Sequence, residues 1–113
     1  MAMLHTVPDF LGDGQTHSLA EIMTLNSVLV PVPPHAAWIG FDAINQGSTA
    51  IRVGDSTVGP NIGLCLNSQT GNLLPPVRGE SYRLDEVFVY VPTGDSLSIT
   101  YCSSRVQSSA YFG

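Results

Sequence analysis

Val87-Phe88-Val89-Tyr90-Val91-Pro92-Thr93-Gly94-Asp95-Ser96-Leu97-Ser98-Ile99-Thr100-Tyr101-Cys102 is the stretch that decides the fold class. Residues 87–91 form an apolar run of β-branched and aromatic side chains. In residues 96–102, Leu97, Ile99 and Tyr101 alternate with Ser96, Ser98, Thr100 and Cys102, the period of two expected of a strand with one buried face. Pro92, Gly94 and Asp95 between them supply turn chemistry, so the stretch reads as a β-hairpin.

The same grammar continues upstream. Residues 37–43 set Ile39, Phe41 and Ala43 on one face and Trp38, Gly40 and Asp42 on the other. Residues 50–54 alternate around Ile51 and Val53, and the polar segment 44–49 with Gly47 joins the two as a second antiparallel hairpin. A β-branched run at 27–32 stops at Pro33-Pro34. Leu64 and Leu66 mark one short strand and Leu73 and Leu74 another, joined by 67–72. Pro75-Pro76 confines the second of these to an edge or a turn. The one helix candidate is 18–24. There Ser18 stands three residues before Glu21, as in a capping box, with Leu19, Ile22 and Met23 on one side. It is two turns at most and reads equally well as a strand. About eight short strands at close intervals point to an all-β, antiparallel sandwich or barrel.

A length of 113 residues fits one domain. Its expected layout is an irregular N-terminal arm at 1–16, a β-sandwich at 17–102 and a C-terminal tail at 103–113. Tyr111 and Phe112 stand near the end of that tail, which is read as gripping a neighbouring subunit, or else as folding back on its own domain or being disordered. Charged residues make up 12% of the chain, about half the usual ~25%. Such a surface suits a protein covered by partners, or a soluble monomer that relies on its hydroxyls. Lysine is absent, and Arg52, Arg78, Arg83 and Arg105 face nine carboxylates for a net charge of −5. That balance argues against nucleic acid and against an anionic membrane surface as partners. No apolar run approaches the ~20 residues of a spanning helix, and residues 1–10 lack the basic and apolar regions of a signal peptide. Cys65 and Cys102 have no CxxC spacing. They are expected as two buried free thiols in a reducing compartment, with a disulfide as the alternative.

Four constellations invite chemistry. Gly94-Asp95-Ser96-Leu97 spells the signature of GDSL-type serine hydrolases, whose serine needs a base and an orienting acid. That signature belongs near the N-terminus of an α/β fold, with Asp-x-x-His following. Here every histidine precedes residue 36 and the string lies between two strands, so a turn is the expected reading. His5, Asp9, Asp13 and His17 recur every four residues and would share a helix face fit for a divalent metal. Pro8, Gly12 and Gly14 oppose that helix, which leaves solvated loop residues. Gly54-Asp55-Ser56 repeats the Gly-Asp-Ser triplet and reads as a turn. Glu80, Asp85 and Glu86 flank Arg78 and Arg83 as a solvated, ion-paired loop. Catalytic, cofactor-binding and metal sites are therefore all expected to be none, and the chain is read as binding and assembling rather than as an enzyme.

Five segments taken in order carry a resemblance. They are Ala37-Trp38-Ile39-Gly40-Phe41, Ile51-Arg52-Val53-Gly54-Asp55, Leu73-Leu74-Pro75-Pro76, Tyr82-Arg83-Leu84-Asp85-Glu86-Val87-Phe88-Val89-Tyr90 and Gly94-Asp95-Ser96-Leu97-Ser98-Ile99-Thr100-Tyr101. Across roughly residues 17–102 the chain resembles the jelly-roll capsid cement, or decoration, proteins of tailed bacteriophages. The resemblance implies a non-enzymatic jelly roll, made in the host cytoplasm, that trimerises on the outside of the phage head. Its partner would be the major capsid protein, whose subunit contacts it stabilises. The alternative is a tail, fibre or receptor-binding module that recognises a host glycan, with Trp38, Tyr82, Tyr90 and Tyr101 as stacking surfaces, although core packing is the expected role of each.

Overall fold

A computed structural model describes residues 4–28, 35–44, 50–66, 71–74 and 81–103. Two antiparallel sheets pack face to face, so the all-β sandwich expected from the alternation is the fold. The larger sheet contains β1 (Leu4–Leu11), β3 (His35–Ile44), β6 (Gly71–Leu74), β7 (Tyr82–Arg83) and β9 (Ser96–Ser103), in the order β1-β9-β3-β6, with β7 paired to the start of β3. The smaller contains β2 (Gln15–Ser18), β4 (Arg52–Gly54), β5 (Leu64–Cys65) and β8 (Phe88–Val91), in the order β2-β8-β4-β5. The pairs nest along the chain: β1 with β9, β2 with β8, β3 with β6 and β4 with β5.

Three expectations change. The run 87–102 is two strands, as its period says, but not a hairpin. β8 and β9 lie in different sheets, and 92–95 carries the chain across the core. The proposed hairpin of 37–43 with 50–54 likewise separates, because β3 pairs β6, β7 and β9 whereas β4 pairs β5 and β8. The irregular arm at 1–16 is also corrected. Among its described residues, β1 is an edge strand of the larger sheet and β2 begins the smaller one. The run 29–34 and the tail beyond Ser103 lie outside the described residues.

Two β-bulges explain where the period of two fails. In β1 the register jumps from Val7 opposite Ile99 to Phe10 opposite Leu97, with Pro8 and Asp9 between. An extra residue turns the strand over, so Val7 and Phe10, three apart, both face inward. Pro8 lacks a backbone donor and fits this edge-strand bulge. In β3 the shift between Ala36 and Trp38 does the same, and Ala36 is buried along with Ile39, Phe41 and Ala43. With Leu97, Ile99 and Tyr101 of β9 and Val89 and Val91 of β8 they form the core. Each fully buried aliphatic side chain there contributes about 1.5–3 kcal/mol.

The helix candidate is real. In α1 (Leu19–Leu25) the Ser18 hydroxyl accepts the Glu21 amide at 3.1 Å as N-cap, and Leu19, Ile22 and Met23 are buried.

The crossing at 92–95 is locked from the other side. The Gly12 amide donates to the Asp95 carbonyl at 2.8 Å. A Cβ on Gly12 would overlap the Pro92 carbonyl and stand 2.7 Å from Val91 Cγ1. Gly12→Ala is therefore expected to cost about 1–3 kcal/mol, read as a lowered urea midpoint.

Candidate functional site

The two sheets end together on one side, at β5 and β6, which among the described strands pair only with β4 and β3. Between these edges lies a cleft of about 280 Å³. Val53 and Phe41 stand at its floor, Leu64, Cys65 and Leu66 on the smaller-sheet side, and Leu73 and Leu74 on the larger. Leu66 is buried, but Leu64 is 63% exposed, Leu73 59% and nearby Ile62 58%. Edge strands leave backbone donors and acceptors unpaired and usually guard them with charge. This edge shows an apolar rim instead.

The loop 55–63 beside the rim is held in place. Asp55 accepts both the amide and the hydroxyl of Thr57, at 2.9 and 2.6 Å, so Gly54-Asp55-Ser56 is a turn as expected. Arg52 Nε and Nη1 donate to the Pro60 and Gly63 carbonyls at 3.0 and 2.8 Å. From β2 of the same sheet the Thr16 hydroxyl donates to the Val58 carbonyl at 2.6 Å. A fixed loop presents the rim without the entropy cost of ordering it on association.

The chemistry-bearing residues scatter. In register, Ser96 of the Gly-Asp-Ser-Leu string stands opposite Leu11 and Ile44. His5 pairs with Tyr101, five residues along β9 or ~17 Å away. Gly94 takes φ 94° in the crossing turn. The four-residue series His5, Asp9, Asp13, His17 divides. His5 stacks on Tyr101 with centroids 4.8 Å apart, and burial raises the tyrosine hydroxyl above its ordinary pKa. Asp9 accepts from the Ser98 hydroxyl. Among the described residues no group of His, Cys, Asp or Glu is arranged to hold a metal ion. Arg83 makes a two-pronged pair with Asp85 at 3.0 and 2.8 Å and reaches Glu86 at 3.6 Å, the ion-paired loop expected. Glu80 and Arg78 lie outside the described residues. Cys65 and Cys102 are both free thiols, but neither is buried as expected: Cys65 is exposed on the edge strand β5 and Cys102 is half-buried near the end of β9. No described helix is long and apolar enough to cross a membrane.

Asp13 and His17 do meet, joined by Glu21. His17 Nε2 lies 2.8 Å from Asp13 and Nδ1 3.2 Å from Glu21, while Phe10 packs edge-on to the ring. Burial alone would lower the His17 pKa, but its hydrogen bonds and charge pairing with both acids outweigh that and hold it above 6.5. Asp13 responds in the opposite sense. Its burial would raise it, and the bonds from His17 and the Gln15 amide bring it below 3.8. The histidine contribution is thus full below about pH 6.5 and is lost as pH rises through the higher folded value. The Asp13 contribution is present above 3.8 and is lost as pH falls. The acids are about half exposed, so the pairing contributes about 1 kcal/mol or less. Urea midpoints should fall between pH 6 and 9, and His17→Gln should flatten that slope.

No protein-family model, curated protein or solved structure matches this chain.

Proposed function

We propose that this chain is a non-enzymatic structural protein of a virion. In this reading it is a capsid cement, or decoration, protein that binds the outside of a phage head as a homotrimer and stabilises contacts between major capsid subunits. The observation that carries the reading is the β5/β6 edge, where Leu64, Leu73 and nearby Ile62 stand exposed beside strands that, among the described ones, pair only with β4 and β3. An apolar rim on a sheet edge gains by covering, either by a neighbouring strand or by an apolar surface.

The strand order supports the reading. With the two-residue β7 set aside, nested pairs that alternate between two sheets are what results when a long antiparallel ribbon is wound into a jelly roll. That is the fold the resemblance implies. The low charged fraction of 12% leaves a surface made mostly of uncharged side chains, as suits one covered by neighbours. Affinity would come from many modest contacts multiplied by symmetry, with no single reactive group.

Co-sedimentation with heads of the cognate phage tests the proposal. Saturable binding to expanded heads, and increased resistance of those heads to heat, is the expected result. A chain that stays in the supernatant at saturating concentration overturns it.

A further inference from the structure

We propose that the outer face of the larger sheet holds a groove for a short, uncharged saccharide. Alternation with the buried Ile39 and Phe41 turns Trp38, Gly40 and Asp42 outward on β3. Gly40 lies in register between Thr100 of β9 and Leu73 of β6, so bare backbone forms the floor between two side-chain rows. Glycine inside a strand costs stability and often marks the close approach of another molecule. The indole closes one end: a Cβ on Gly40 would stand 3.6 Å from Trp38 Cζ3. Asp42 stands exposed at the other end with Ser98 opposite it, and Thr100 and Leu73 form the walls.

The groove measures about 420 Å³ and opens to solvent, within the ~300–1,000 Å³ of small-molecule sites. Its lining chooses the ligand class. An indole accepts the apolar face of a pyranose ring. A carboxylate and hydroxyls bond sugar hydroxyls, the carboxylate most strongly. One carboxylate and no cation in the lining repel phosphate, sulfate and sialic acid. A wholly apolar ligand would strip water from Asp42 without replacing its bonds.

Trp38 is the single tryptophan, so its emission reports on this groove alone. The test is an array of neutral and acidic oligosaccharides, followed by fluorescence titration with maltotriose, cellotriose, chitotriose and mannotriose. At least one neutral trisaccharide should shift the emission saturably. Asp42→Ala should weaken that binding by about tenfold or more, as expected for loss of a hydrogen bond to a charged group. Gly40→Val should abolish it while leaving the urea midpoint unchanged or raised, since valine suits a strand. Trp38→Phe should retain weakened binding on the array. No saturable shift with any neutral trisaccharide overturns the proposal. So does equal binding of acidic glycans, full binding by Gly40→Val, or an indole shielded by self-association without sugar.

Discussion

Removal of residues 1–11 is expected to unfold the protein. Six residues of β1 are in register with β9, and Val7 and Phe10 from this strand are buried in the core. Losing those two side chains alone forfeits about 3–6 kcal/mol. A domain of this size has a total stability of only about 5–15 kcal/mol. The truncation also opens the long edge of β9 and uncovers Leu97, Ile99 and Tyr101 from one side. Far-UV circular dichroism and a urea titration of the shortened chain should show no cooperative transition. Phe10→Ala is the milder version and should cost about 3–5 kcal/mol. An arm that only reached out to a neighbour would leave the urea midpoint untouched.

The second large effect is expected at Leu97. It lies on the central strand, in register with Phe10 of β1 on one side and Ala43 of β3 on the other, and is fully buried. Leu97→Ala removes apolar contacts and leaves a cavity that three strands must collapse to fill. Sheets hydrogen-bonded on both sides collapse poorly, so the cost should be about 2–5 kcal/mol. Urea denaturation at pH 6, where His17 retains its pairing, reads it. A cost below about 0.5 kcal/mol, typical of a surface site, would mean that this face of β9 is not core.

What was legible in the sequence was the strand, and what was not was its partner. The alternation in 96–102 and 37–43 correctly placed Leu97, Ile99, Tyr101, Ile39, Phe41 and Ala43 inside. The turn residues 92–95 were equally real, but a tight turn joins strands within one sheet or carries the chain between two, and local chemistry does not distinguish these. Nested pairing between β1 and β9 is set by contacts across most of the chain, where no local signal exists. β1 itself was hidden because its bulge spaces the two buried side chains three apart and places a proline between them. The cap at Ser18 was legible because a cap is a local hydrogen bond. At the candidate site, Leu64 and Leu66 look alike in sequence. Only the position of β5 at an edge makes the first a rim residue and the second core.

The exposed rim also gives the central claim its most direct measurement. Leu64→Asp combined with Leu73→Asp places two carboxylates on side chains that are already mostly in water. The folded chain should tolerate them within about 0.5 kcal/mol. Sedimentation velocity on the parent and this double variant then separates folding from assembly. The account predicts a parent that sediments as a trimer and a variant that sediments as a folded monomer with the parent's urea midpoint. A parent that sediments as a monomer at high concentration, or a double variant that assembles as the parent does, would contradict it.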